Sequence, residues 1–141
     1  MKRMSLSFCF VLSGVLLAAG CGEPTLTTGT VAGKVVDGNQ PVPHVEVSFV
    51  STAGPRATAI TSEDGRFELM LTNGEKGAMV GENAVSVLTG LEVVRPNKAG
   101  DMVMFRPPGP SLRYTFQTPL VVAPGVNEFT LDVSTATKGP R

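Results

Sequence analysis

From residue 28 onward the chain alternates apolar and polar side chains with a period of two, the pattern of strands that bury one face. Thr30-Val31-Ala32-Gly33-Lys34-Val35-Val36 predicts a first strand, stopped by the turn formers Asp37-Gly38-Asn39. Residues 44–50 predict a second, with Val45, Val47 and Phe49 on one face and Glu46 and Ser48 on the other. Residues 57–61 and 66–71 supply the third and fourth. Between these two, Ser62-Glu63-Asp64-Gly65 reads as a tight hairpin in which Gly65 takes the positive φ that the turn needs. Residues 83–88 make a fifth strand, and Tyr114-Thr115-Phe116 with Leu120-Val121-Val122 a sixth, interrupted at Pro119. Ala123-Pro124-Gly125-Val126 suits a type II turn, with proline second and glycine third. A seventh strand then alternates Phe129, Leu131 and Val133 with Glu128, Thr130 and Asp132.

Two stretches fall outside this rhythm. Residues 95–113 hold Pro96, Pro107, Pro108 and Pro110 and are expected to form an irregular loop, and residues 134–141 are polar and expected to fray. No window of eleven or more residues carries the apolar stripe of a helix. Seven short strands with one apolar face each need a second sheet to cover them. The expectation is an all-β, seven-stranded β-sandwich over residues 30–134, with 135–141 as a flexible tail.

The front of the chain has a different character. Met1-Lys2-Arg3 precedes residues 4–19, which are apolar except for Ser5, Ser7, Ser13 and Gly14. A basic start, an apolar run and small residues at its end make a secretory signal peptide. A helix of that length would rise about 24 Å, short of the ~30 Å hydrocarbon core, so it is not a permanent span. Leu17-Ala18-Ala19-Gly20-Cys21 resembles the bacterial lipobox, although Ala18 stands where leucine is usual. The resemblance implies a signal peptide over residues 1–20, diacylglycerol on the Cys21 sulfur, and Cys21 as the first residue of the mature protein. Ordinary cleavage after Gly20 is the other outcome, because Ala18 and Gly20 also suit the general signal peptidase. Several acyl chains make a stable anchor where one would not. Residues 21–29 would be the lipidated start and a spacer, of which residues 23–27 reach only ~17 Å when extended.

Composition narrows the possibilities further. The chain has two cysteines, and Cys9 would leave with the signal. The exported part would then have no internal disulfide and must rely on its core. Loss of Lys2 and Arg3 leaves ten basic residues against twelve acidic ones, which gives nucleic acid no footing. The 16 glycines and 11 prolines fit a turn-rich fold and stay below the level of disorder.

Three pieces resemble the carboxypeptidase regulatory-like domains, small transthyretin-like (prealbumin-like) sandwiches of exported bacterial proteins. They are Val31-Ala32-Gly33-Lys34-Val35-Val36-Asp37-Gly38 with Pro41 and Val45-Glu46-Val47-Ser48-Phe49, then Ala59-Ile60-Thr61-Ser62-Glu63-Asp64-Gly65-Arg66-Phe67-Glu68-Leu69, then Pro124-Gly125-Val126-Asn127-Glu128-Phe129-Thr130-Leu131. His44 departs from the family pattern, where a small residue is usual. The resemblance implies a transthyretin-like fold, an envelope setting and no catalytic residues.

The residue inventory agrees with that last point. His44 is the one histidine, so neither a metal set nor a nucleophile–histidine pair can be assembled around it. Transthyretin-like hydroxyisourate hydrolases use several histidines and a closing Tyr-Arg-Gly-Ser, whereas this chain ends Thr137-Lys138-Gly139-Pro140-Arg141. Glu63-Asp64 offers too few spaced oxygens for calcium. No cofactor is expected. Arg95, Met104, Phe105 and Arg106 are the candidate partner contacts, since apolar Met102-Val103-Met104-Phe105 lies among Arg95, Lys98, Arg106 and Arg113 in the proline-rich stretch. The competing reading of that stretch is a solvated loop whose Met and Phe tuck onto the sandwich edge.

The expected function is therefore a lipid-anchored protein of the bacterial cell envelope, facing the periplasm or exterior. Its non-catalytic sandwich would serve as a binding or structural module, with the membrane reached through the anchor and an envelope protein or glycan as partner. Two alternatives remain. A carboxylate-based enzyme would draw on Glu46, Glu68 or Asp132, all expected to face solvent. A carbohydrate-binding module would have to work with no Trp and one Tyr.

Overall fold

The computed structural model describes residues 25–141. The signal peptide and Cys21 lie outside the described residues. Among those described, the chain forms short strands and a single 3₁₀ turn at Val133–Thr135. The strands are β1 (Thr28–Asp37), β2 (Gln40–Pro41), β3 (Glu46–Val50), β4 (Ala57–Ile60), β5 (Arg66–Glu68), β6 (Met70–Leu71) and β7 (Ala78–Met79). After them come β8 (Gly81–Leu88), β9 (Val93–Pro96), β10 (Met102–Phe105), β11 (Leu112–Thr115), β12 (Leu120–Val122), β13 (Gly125–Asp132) and β14 (Thr137–Pro140).

β1 is the spine of the first sheet. Along one edge it pairs in parallel with β13, from Gly29 opposite Gly125 to Val36 opposite Asp132. Along the other edge it pairs antiparallel with β7 at its start, β5 in its middle and β2 at its end. The second sheet runs β14-β11-β8-β3-β4-β6, and β12 continues the β11 edge of β8. Val31, Val35, Phe67 and Leu131 from the first sheet share one buried cluster with Val47, Phe49, Val85 and Val87 from the second. The rings of Phe49 and Phe129 meet across that layer with centroids 5.8 Å apart. The body is all-β and β-sandwich-like.

The alternation seen in the sequence explains which residues turn inward, and four details differ from it. The fourth strand is two strands in different sheets: β5 pairs with β1, and β6 with β4. Leu69 stands at the crossing, fully buried, its N–H donating to the Val31 carbonyl and its own carbonyl accepting from Gly77. For the same reason the turn at Ser62-Glu63-Asp64-Gly65 joins the two sheets, and β4 and β5 are not ladder partners. It is still a tight turn. Gly65 sits at φ +77, where a Cβ would press on the Val35 carbonyl, and its N–H donates to the Ser62 carbonyl at 2.9 Å. Asp64 supports the turn through the Ser62 hydroxyl and the Arg66 N–H, which together with Arg66 hold its carboxyl below the usual range.

Ser48 is buried rather than solvent-facing, because it lies on a central strand between Thr58 and Ser86 of its neighbours. The tail does not fray either. Residues 137–140 form β14, antiparallel to β11, with Gln117 donating to the Thr137 hydroxyl at 3.0 Å. Its polarity marks an exposed edge strand, and β11 would otherwise leave a row of backbone groups unpaired.

Buried polar residues are few, and no fully buried side-chain nitrogen or oxygen among the described residues lacks a hydrogen-bond partner. Asn83 donates to the Met79 and Gly81 carbonyls at 2.8 and 2.9 Å, fixing the bend into β8. Asp132 ties the end of β13 to the turn after β1. Its Oδ1 accepts from the Ser134 hydroxyl at 2.6 Å, the Ser134 N–H at 3.0 Å and the Gly38 N–H at 3.1 Å.

Two measurements check this arrangement. Phe49→Ala empties the centre of the shared layer and should lower unfolding free energy by about 3–5 kcal/mol in a denaturant titration; a loss under about 1 kcal/mol would place Phe49 outside a packed core. The second concerns acid. The Ser134 hydroxyl and the Gly38 and Ser134 amides hold the Asp132 carboxyl below the usual range. The unfolded chain then binds the extra proton, so this contribution is complete above the unfolded carboxylate pKa and disappears as pH falls through the folded value. Between about pH 6 and about pH 2, stability should therefore fall less steeply for Asp132→Asn than for the natural chain. Equal slopes would remove Asp132 from the acid response.

Candidate functional site

The site lies at the end of the sandwich reached by the C-terminal half of β1. There Val35 donates to the Gly65 carbonyl and accepts from Val42. Thr61, fully buried, pins the next residues from both sides. Its hydroxyl donates to the Val42 carbonyl at 2.8 Å and accepts from the Val45 N–H at 3.1 Å. Its backbone accepts from the His44 N–H at 3.0 Å and donates to the Val45 carbonyl at 2.9 Å. So held, His44 adopts φ +54, the sole positive φ at a residue other than glycine among those described. A left-handed backbone costs a bulky residue about 1–2 kcal/mol, and the Thr61 bonds supply the restraint that maintains it. The imidazole is directed inward, with 13% of the side chain exposed.

The proline-rich stretch is more ordered than its composition predicts. Its first half is a β-hairpin, β9 with β10, pairing Val93 with Phe105, Val94 with Met104, Arg95 with Val103 and Pro96 with Met102. Asn97 closes the turn: its N–H donates to the Asp101 carbonyl, and its side-chain oxygen accepts from Ala99 and Asp101. Pro96 is compatible with this because both strands are edges, where a missing N–H is tolerated. Pro107, Pro108 and Pro110 all follow β10. They cross a second apolar hollow of about 350 Å³, which includes Val42, Thr89, Leu112 and Tyr114.

Directly opposed residues of an antiparallel pair share a face. One face of the hairpin carries Val94, Pro96, Met102 and Met104, with Val94 60%, Met102 66% and Met104 70% exposed. The other carries Arg95 and Phe105, and these meet the body. The Phe105 ring packs edge-on against His44, with centroids 5.4 Å apart. The Arg95 guanidinium lies over the Phe105 ring, 3.5 Å from its centroid. A single oxygen joins the pieces: Glu63 Oε1 is 3.0 Å from Arg95 Nη1 and 3.0 Å from His44 Nε2. The Glu63 side chain is 74% exposed, so its ion pair with Arg95 contributes only about 0–1 kcal/mol. No residue of β9 or β10 belongs to the buried core. The hairpin is thus fastened lightly to a firmly packed body.

Of the residues predicted as contacts, Arg95 and Phe105 come together, Met104 occupies the opposite face of the same hairpin, and Arg106 lies apart, sharing a small hollow with Glu92 and Arg141. His44 and Glu63 belong to the site although the sequence marks them only as turn residues. Their partner Arg95 is 32 residues beyond Glu63, and no local spacing signals that meeting.

The carboxylates of the enzyme alternative are dispersed. Glu46 is on the second sheet, Glu68 pairs with Lys76 at 3.4 Å, and Asp132 is engaged at the end of β13. Glu68 and Asp132 also stand on opposite edges of β1, four residues apart along it opposite Ala32 and Val36, which separates their backbones by about 16 Å. Among the described residues no three His, Cys, Asp or Glu side chains are placed to hold a metal. The cluster brings together two hydrogen-bonding groups, His44 and Arg95, and an aromatic ring, on a hairpin whose opposite face is an exposed apolar strip. No family model, curated protein or solved structure matches the chain.

The fastening can be tested by removing the charge on Glu63. Glu63→Gln should lower the ¹⁵N order parameters of the amides in residues 93–105 while leaving global stability within about 1 kcal/mol. Unchanged order parameters would mean that the carboxylate does not hold the hairpin.

Proposed function

We propose that this is an exported, lipid-anchored protein of the bacterial envelope whose body is a non-catalytic, transthyretin-like sandwich of the carboxypeptidase regulatory-like kind. Its work is binding, and the β9–β10 hairpin is the contact surface. The observation that carries this reading is the exposed strip of Val94, Met102 and Met104 on a hairpin whose other face meets Glu63 and His44 of the body. Monomeric soluble domains rarely leave contiguous apolar patches exposed without a use for them. Methionine suits such a surface because its flexible thioether adapts to a partner.

Position supports the same reading. β1 starts at Thr28 beside β7 and ends at Asp37, and the site gathers near Val35, about 23 Å further along the strand than Thr28. A short tether from Cys21 would hold the Thr28 end toward the bilayer. The hairpin would then face away from it, where a periplasmic or exterior partner can reach it. The scattered carboxylates favour a module without catalysis over the enzyme alternative.

Intact-mass spectrometry of the membrane-fraction protein should give a chain beginning at an acylated Cys21, and Cys21→Ser should release the protein from the membrane. A water-soluble mature chain with unmodified Cys21 would overturn the anchor. A photo-reactive side chain replacing Met104 should give a defined adduct in whole cells, whereas one replacing the exposed Val121 of β12 should not. Equal labelling at the two positions would remove the hairpin as contact surface.

A further inference from the structure

We infer that the hollow on the β9–β10 hairpin takes an acidic, apolar peptide segment of a partner protein, with Lys98 and Arg95 receiving its carboxylates and Val103, Met104 and Phe105 its apolar side chains. This rests on the hairpin being the contact surface and adds the chemistry of what it contacts. The hollow, about 480 Å³, is lined by Arg95, Pro96, Asn97, Lys98, Val103, Met104 and Phe105. Both charged groups among these are cations. The nearest acid of the hairpin, Asp101, contributes nothing to the lining, and its carboxylate is 3.5 Å from the Asn97 amide nitrogen. Lys98 makes no ion pair among the described residues.

Glu63 shows what a carboxylate does beside this hollow. It places one oxygen on Arg95 Nη1 and His44 Nε2 together, while the guanidinium stacks on Phe105. A guanidinium has five N–H donors, and Glu63 engages Arg95 through one nitrogen, so the remaining fork is open to a second carboxylate. Stacking on Phe105 fixes the plane of that fork, which lowers the ordering cost of binding a planar anion. Lys98, at the turn, adds a second positive charge, and Val103 and Phe105, on the Arg95 face of the hairpin, reward an apolar residue next to the acid. A lipid headgroup shares the anionic chemistry. The hollow lies at the end of β1 away from Thr28, however, and so away from a bilayer tethered at Cys21, which favours a protein partner.

The test uses the full chain in non-ionic detergent. The probes are a labelled six-residue peptide alternating leucine and glutamate and a twin with lysine in place of glutamate, both followed by fluorescence anisotropy. The acidic peptide should bind and its lysine twin should not. Lys98→Gln should weaken binding about tenfold, as expected for loss of one charge-assisted contact, and Met104→Ser should weaken it as well. Failure of the acidic peptide to bind, equal binding of the twins, or affinity unchanged by Lys98→Gln would overturn the inference. Displacement of the peptide by phosphatidylglycerol vesicles, but not by phosphatidylcholine vesicles, would assign the hollow to a lipid headgroup and overturn it too. A photo-adduct at Met104 in cells, together with no binding of the acidic peptide by the natural chain, would keep the hairpin as contact surface while refuting the acidic-peptide chemistry.

Discussion

The body depends on one strand being paired along both edges while its alternate side chains seal the core. β1 provides parallel bonds to β13, antiparallel bonds to β2, β5 and β7, and the fully buried Val31 and Val35 that face the second sheet. With no disulfide among the described residues, that layer must supply cohesion by apolar burial, at roughly 25 cal/mol per Å² removed from water. The buried polar residues among those described are Ser48, Thr61 and Asn83, and the side chains of Thr61 and Asn83 are hydrogen-bonded to backbone. Thr61 has the widest reach, because its four bonds carry the rigidity of the core out to His44.

This arrangement separates the packed core from the lightly held hairpin. The core is made by residues with almost no exposed surface, whereas the hairpin is held to the body by the Glu63 carboxylate on Arg95 and the edge-on contact of Phe105 with His44. Each of these is worth a fraction of a kcal/mol to about 1 kcal/mol at an exposed site. Surfaces that adjust to a partner come from the low-stability end of a fold, and this hairpin lies there by its contacts. The strained backbone of His44 fits the same division, since strain of this kind persists where rigid surroundings impose it and tends to collect at functional positions.

Much of the body was legible in the residue pattern because a period of two, with one face buried, leaves little choice of register. Val45, Val47, Phe49, Val85, Val87, Leu131 and Val133 all point inward as their alternation requires. Pairing partners were less legible. Nothing local in residues 66–71 indicates that Leu69 crosses between sheets, or that a polar tail will zip onto β11. The proline count of residues 95–113 suggested a loop throughout, yet three of the four prolines follow β10 and the fourth, Pro96, is accommodated at the end of β9 in the hairpin before them. Of the site, Arg95, Met104 and Phe105 stood out by chemistry. His44 and Glu63 did not, because a long-range ion pair depends on how sheets stack rather than on spacing along the chain.

Native-state amide hydrogen exchange across a range of low denaturant concentrations tests this division most directly. Amides of β1, β3 and β8 should exchange through the global opening with its full denaturant dependence, while those of residues 93–105 should exchange faster, through a smaller opening nearly insensitive to denaturant. Hairpin amides that share the global opening, or β1 amides that exchange first, would contradict a firm core carrying a lightly fastened hairpin.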